Sequence, residues 1–249
     1  HLKQPQEIPE HTAKFNGKIE RPRLSNIALG REQIEILLNN QRFESIPTEL
    51  RSSLIGFWDF CENISVDAAS TRITDCSPNN LHGVGVNLPV RGVIGHNWSS
   101  HFMSFKHGPQ EYGAIHFHDE SVDDARWENS FTLKITDKMK SGVYAARLRV
   151  NGMSSPDHED YIPFFVKPPS GTTTASIALV MSTHSYMAYA NDNLSVNSVI
   201  AELLTGQVPL LQPEDLLLNQ ERGYGLGTYT SYRDGWGVNI SSRLRPILN

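Results

Sequence analysis

The chain has 249 residues, 39% of them hydrophobic and 20% charged, with a formal net charge of -5 and a sequence pI near 6.1. That length fits one large or two medium domains, and the composition excludes intrinsic disorder. The acidic balance argues against non-specific binding to nucleic acid or to an anionic membrane surface, and no apolar run reaches the roughly 20 residues of a membrane-spanning helix.

Residues 1–13, with Pro5 and Pro9 among polar neighbours, read as a loop. Residues 14–22 alternate well enough for a strand that ends at proline. Residues 30–40 hold Ile34, Leu37 and Leu38 at helical spacing, which predicts a short helix. Leu54-Ile55-Gly56-Phe57-Trp58-Asp59-Phe60 predicts an aromatic-rich strand. From 61 to 170, short apolar runs alternate with turn signals at Ser77-Pro78-Asn79-Asn80, His82-Gly83, Gly92, Gly108-Pro109 and Asn151-Gly152. Candidate strands fall at 113–118, 131–136, 143–150 and 161–167, a spacing that argues a β-sandwich. The acidic stretch 119–128 reads as a helical turn on the surface.

Pro168-Pro169-Ser170-Gly171 predicts a linker. After it, residues 176–181 form a continuous apolar run, the pattern of a parallel strand buried on both faces. Helices are predicted over 196–204 and around 214–218, so this stretch reads as the opening of an α/β domain. No internal repeat and no low-complexity segment stands out. Cys61 and Cys76 read as free thiols in a reducing compartment, and no signal peptide is visible. The lack of a starting Met and the abrupt Pro246-Ile247-Leu248-Asn249 end predict a segment of a longer polypeptide.

Candidate chemistry centres on two tyrosine-bearing segments. Tyr186-Met187-Ala188-Tyr189-Ala190-Asn191 follows the strand predicted at 176–181, and ligands in open α/β sheets bind at the carboxyl ends of strands. Tyr224-Gly225-Leu226-Gly227-Thr228-Tyr229 lies in a glycine-rich stretch with Gly223, Gly235 and Gly237 around Tyr232, where backbone can approach a ligand closely. Taken one at a time, each tyrosine reads as packing with its hydroxyl satisfied. His116-Phe117-His118 puts two imidazoles on one face of a strand, a plausible metal pair with His96, His101 and His107 near in sequence. Without a Cys or third His at metal-site spacing, these read as surface or hydrogen-bonding histidines. Asp157-His158-Glu159-Asp160 reads as a solvated turn cap. Ser182-Thr183-His184-Ser185 lacks the glycines of a nucleophile elbow, and the glycines near Tyr224 lack the strand and helix of a dinucleotide fingerprint.

Longer motifs carry a resemblance. They are Phe57-Trp58-Asp59-Phe60; Asp75-Cys76-Ser77-Pro78-Asn79-Asn80-Leu81-His82-Gly83; Pro89-Val90-Arg91-Gly92 with Gly95-His96-Asn97-Trp98; and Glu111-Tyr112-Gly113-Ala114-Ile115-His116-Phe117-His118 with Asp123-Asp124-Ala125-Arg126-Trp127-Glu128. Glu159-Asp160-Tyr161-Ile162-Pro163-Phe164-Phe165-Val166 and Ser242-Arg243-Leu244-Arg245-Pro246 extend them. With the tyrosine segments, they make the chain resemble the large (beta) subunit family of N,N-dimethylformamidase, a bacterial iron-dependent amidohydrolase. The N-terminal strand, Pro22-Arg23-Leu24 and the short helix also resemble the last strands of a concanavalin-like (laminin G-like) jelly roll.

The implied fold is mainly β with a C-terminal α/β segment. Residues 1–60 would end a concanavalin-like jelly roll, 61–170 would form a β-rich sandwich or linking domain, and 171–249 would begin an α/β catalytic domain of Rossmann or amidotransferase type. The implied activity is that of a cytoplasmic bacterial hydrolase acting on linear amide C–N bonds, which turns dimethylformamide into dimethylamine and formate. Its cofactor would be a mononuclear ferric iron (Fe3+) held by two tyrosines and a glutamate, acting as a Lewis acid on the carbonyl or on water. The motifs place two of these ligands at Tyr189 and at Tyr229, the second ahead of Arg233-Asp234-Gly235-Trp236-Gly237. Phenolate is a hard donor suited to ferric iron, and the metal must displace a proton whose ordinary pKa is near ~10.

Tyr186, Asn191, Tyr224 and His184 are expected to support or line the pocket. The glutamate is expected beyond Asn249, so this stretch alone is expected to be inactive. Implied partners are a small amide substrate, the enzyme's small subunit and further large subunits, with no nucleic acid and no membrane. The lectin-like N-terminal segment carries a second reading, a non-catalytic β-sandwich that binds glycan or a partner protein.

Overall fold

The structure is a computed structural model that describes residues 15–65, 71–153, 155, 158–192, 202–204, 206–208, 210–211 and 213–248. The chain divides into two compact units, one comprising His1–Arg126 with Thr183–Asn249 and the other Trp127–Ser182. Among the described residues the architecture is mainly β with few, short helices, and every strand pairing is antiparallel.

In the first unit the alternating N-terminal segment forms β1 (Gly17–Glu20), followed by β2 (Arg23–Ser25). The helical spacing gives α1 (Arg31–Asn39), whose Gly30 N–H is capped by the Gln33 side chain at 2.8 Å. Of the three periodic residues in α1 only Leu37 is buried; Ile34 and Leu38 stay exposed. Leu37 packs with Phe43, Ile46, Leu50 of α2 (Thr48–Arg51), and Leu54 and Phe57 of β3 (Leu54–Phe57). Phe43 and Phe57 meet edge to face at 5.7 Å, the arrangement favoured by ring quadrupoles.

Two short strands, β4 (Arg72–Ile73) and β5 (Gly83–Val84), pair with each other. The sheet that positions the candidate site has the order β1, β7 (Ala114–Phe117), β6 (Val90–Val93). β7 is central, and its period of two sorts its residues onto two faces. Ile115 and Phe117 join Phe60 and Ile73 on one face, whereas Ala114 packs with Val90 and Val93. His116 therefore shares the face of Ala114. It lies opposite Lys18 of β1 and Val90 of β6.

The second unit holds a hairpin of β8 (Gly142–Arg149) and β9 (Glu159–Val166), in register over eight residue pairs. Tyr144 lies opposite Phe164 and their rings stack at 5.7 Å. Glu159 takes both Arg147 and Arg149 as ion-pair partners, so this carboxylate of the acidic run is a cross-strand charge pair on the hairpin. Asp157 lies outside the described residues.

Three expectations are corrected. Residues 176–181 form no strand: Ile177, Leu179 and Val180 are 87%, 77% and 88% exposed. An apolar run becomes a strand only when another strand satisfies its backbone, and none does so here among the described residues. Residues 131–136 likewise form no strand, with Phe131, Leu133 and Ile135 exposed. The acidic stretch 119–128 is not a surface helical turn, since Glu120 is 4% exposed and pairs with Arg222 and Arg233. The loop expected over residues 1–13 and most of the helix expected over 196–204 lie outside the described residues, although 202–204 are helical. The helix around 214–218 is part of α4 (Pro213–Gln220), after α3 (Thr183–Tyr189).

Candidate functional site

The first tyrosine segment is helical. α3 carries His184, Tyr186 and Tyr189, and the Ala190 N–H closes its last turn on the Tyr186 carbonyl at 2.9 Å. The helix stops at Asn191, which takes the left-handed conformation (φ 61°) that asparagine tolerates better than most residues. Asn191 is 2% exposed. Its Nδ2 donates to the carbonyls of Gly225 (3.2 Å) and Pro246 (2.7 Å), and its Oδ1 accepts from the Leu248 N–H at 3.0 Å.

A helix end leaves carbonyls without intrahelical partners. Here the second tyrosine segment and the C-terminal stretch satisfy them. The Thr228 N–H donates to the Ala188 carbonyl at 3.0 Å. Arg245 donates from Nη2 to the carbonyls of Met187 (3.0 Å) and Ala190 (2.8 Å), and from Nη1 to that of Ser242 (2.6 Å). Gly227 permits this docking, because a Cβ there would stand 2.6 Å from the Ala190 carbonyl oxygen.

The result sets Tyr229 against Tyr189, with ring centroids 4.2 Å apart and planes within 12°. Both rings are about half exposed, at 52% and 53%. The neighbouring Tyr229 side chain raises the pKa of Tyr189, so that hydroxyl keeps its proton more firmly than a free phenol. Asn191 and Gly227 hold the segments that bring the pair together. His184 and Tyr186 are exposed on α3, and Tyr224 ends the short turn Arg222–Tyr224.

A second cluster lies on β7 and just beyond it. His116 and His118 are 4% and 8% exposed, with rings 4.0 Å apart. The Nε2 atoms of both converge on Oδ2 of Asp234, at 3.0 and 3.2 Å. Asp234 is aimed by its own turn, since its Oδ1 accepts the Trp236 N–H at 2.9 Å. His118 stacks on Tyr232 (3.7 Å, 4°), and His116 meets the edge of Trp236 at 5.0 Å. Burial raises the pKa of Tyr232, whose hydroxyl shares a 3.0 Å hydrogen bond with Ser121, so Tyr232 stays a neutral phenol. His116, His118 and Asp234 form a group that could hold a metal ion.

Of the sequence expectation of surface or hydrogen-bonding histidines, the surface alternative fails for His116 and His118, and the pair instead meets a carboxylate from a buried position. The missing partner was an aspartate, 116 residues after His118. Its Asp234-Gly235 dipeptide is legible as a turn, but the pairing with β7 is not.

Both clusters share one segment. Arg222 and Arg233 bind the buried Glu120, and Leu226, Tyr232 and Val238 form a small apolar cluster that closes residues 222–238 on themselves. No helix among the described residues is long and apolar enough to cross a membrane.

Residues 90–249 match the model of a family described as N,N-dimethylformamidase beta subunit-like, C-terminal. The chain is 39% identical over 239 residues to an N,N-dimethylformamidase beta subunit of Alcaligenes sp and 41% identical over 239 residues to one of Paracoccus aminophilus. In both cases 95% of this chain is covered, and it spans 30% of the relative's length.

Proposed function

The chain belongs to the N,N-dimethylformamidase beta subunit-like family, and we propose that it contributes two iron-holding residues, Tyr189 and Tyr229, to an amide hydrolase. The observation that carries this reading is the stacked pair itself. Two phenols 40 residues apart in sequence stand face to face with their rings stacked, half open to solvent. A phenolate pair is a hard, anionic donor set of the kind ferric iron takes.

The fit is chemical as well as geometric. Ligation by both residues must expel both phenolic protons, and the Tyr229 side chain, which raises the pKa of Tyr189, makes one of them harder to remove. Bound there, ferric iron would supply Lewis acidity toward an amide carbonyl or a water. The chain's own part is positional. Thr228, Arg245 and Gly227 fix the backbone of both tyrosine segments at one helix end. In this reading a glutamate completes the donor set from elsewhere in the enzyme.

The substrate class is a small N-substituted formamide such as dimethylformamide, giving an amine and formate. The names of the relatives, as beta subunits, support a partner subunit; its smaller size and self-association of the large subunit in the cytoplasm complete the proposal. Residues 1–60 would then close a concanavalin-like sandwich, and 171–249 would open the catalytic domain.

The test is formate and dimethylamine release from dimethylformamide by the full-length protein with its small subunit. Tyr189→Phe and Tyr229→Phe should each remove at least about 100-fold of the rate. Full rates in both variants would discard these two residues as ligands.

A further inference from the structure

We propose that His116, His118 and Asp234 form a second metal site, distinct from the tyrosine pair, that takes a first-row divalent cation such as Zn2+.

The geometry comes first. Ligands about 2.1 Å from a common ion are separated by roughly 3.0–3.4 Å in tetrahedral or octahedral arrangements. The two Nε2 atoms stand 3.0 and 3.2 Å from Asp234 Oδ2. In both imidazoles Nδ1 is buried without a partner, so Nε2 is the nitrogen through which each ring meets a polar group. The two nitrogens thus both meet one carboxylate oxygen, and the ligand atoms of the three residues all lie within 4.8 Å of one another.

The surroundings hold these atoms in place. Tyr232 stacked on His118 and Trp236 against His116 fix the rings, and the Trp236 N–H fixes the carboxylate through its other oxygen. The carboxylate is hydrogen-bonded as ligating carboxylates are, whereas the imidazoles are held by ring packing and burial. The Asp234 side chain is 39% exposed while the imidazoles are buried, so the cluster is open on the carboxylate side, where water could complete the coordination. Lys18 lies opposite His116 in the sheet, yet its ammonium packs over the Trp236 ring at 4.6 Å and makes no ion pair with Asp234.

The donor set selects the cation class. Two imidazoles and a carboxylate suit zinc and ferrous iron, whereas the phenolate pair suits a harder trivalent ion. The site ties β7 to the segment that carries Tyr229 five residues before Asp234. A bound cation would therefore latch the tyrosine segment to the central strand of the sheet.

The experiment uses the full-length protein carrying Tyr189→Phe and Tyr229→Phe, stripped of metal and offered Zn2+ alone. In this background the fate of the iron reading does not affect the result. We expect one equivalent of zinc per chain, measured by elemental analysis after dialysis, and a rise in Tm with zinc. Adding Asp234→Asn, a substitution at an accessible position, should weaken zinc binding at least about tenfold. His118→Asn should do the same, with near-ultraviolet circular dichroism reporting the fold. A folded protein that retains no zinc, or equal zinc retention with and without Asp234→Asn, overturns the proposal.

Discussion

Gly227 lies so close to the end of α3 that a Cβ on it would stand 2.6 Å from the carbonyl oxygen of Ala190. That oxygen cannot retreat freely, because the buried Arg245 guanidinium holds it at 2.8 Å. The constraint is steric and not one of backbone conformation, since Gly227 is not among the positive-φ glycines.

Gly227→Ala should therefore cost about 1–3 kcal/mol, the range of overpacking in a fitted interior. It should also push Tyr229 off Tyr189, so if the pair holds iron as proposed, iron content should fall as well. Urea unfolding and iron content of the same preparation check both halves. Wild-type iron content in a destabilised variant would separate the docking of the helix end from the tyrosine pair.

Asp75 offers a pH-dependent test of the core around β3. It is 2% exposed and accepts hydrogen bonds from the N–H groups of Phe57, Ser77 and Leu81 and from the Ser77 hydroxyl, at 2.8–2.9 Å. Burial alone would raise its pKa, but these hydrogen bonds outweigh burial and lower it below the ordinary 3.8. A depressed carboxyl contributes stability that is present above its unfolded value and is lost as pH falls through the folded one. Asp75→Asn should cost about 2–4 kcal/mol at pH 7, and the gap from wild type should shrink below pH 4. Denaturant curves at pH 7, 5 and 3 measure it, and a constant gap would show that the carboxylate charge is not what matters.

The two cysteines should be silent in the native protein. Burial, with Asp59 adding to it, pushes the Cys61 thiol up to about 12, and burial pushes Cys76 up to about 11. Arg21 donates to the Cys61 sulfur at 2.8 Å without reversing that direction. Thiolate is the reactive form, so at pH 8 neither should react with a disulfide reagent on the minute scale, and both should react at once in denaturant. These raised values also mean that their stabilising share is complete below about pH 9 and declines as pH rises toward the folded values. Rapid native labelling of Cys61 would contradict the burial described for it.

How much of this was legible in the sequence depends on the range of the interactions. α1, β3, β7 and the strands β8 and β9 follow from local patterns: spacing in α1, aromatic content in β3, short apolar runs between turn signals in β7, β8 and β9. The apolar run at 176–181 carried an equally strong local pattern and formed no strand, because pairing is supplied by distant backbone and not by hydrophobicity. Likewise His116 and His118 were visible as a pair on one face, but Asp234 reaches them across 116 residues. Tyr189 and Tyr229 were singled out through family motifs. What brings them together, the carbonyls of α3 read by Thr228 and Arg245 with Gly227 pressed against them, is a property of the folded chain.

The most direct test of the tyrosine assignment is iron content with a visible spectrum on the full-length protein, wild type beside Tyr189→Phe and Tyr229→Phe. Tyrosinate bound to ferric iron gives a broad charge-transfer band. Bound iron and the band are expected in the wild type, and loss of both in each variant while the fold persists. Iron and band unchanged in both variants would contradict that assignment and leave the stacked pair as packing.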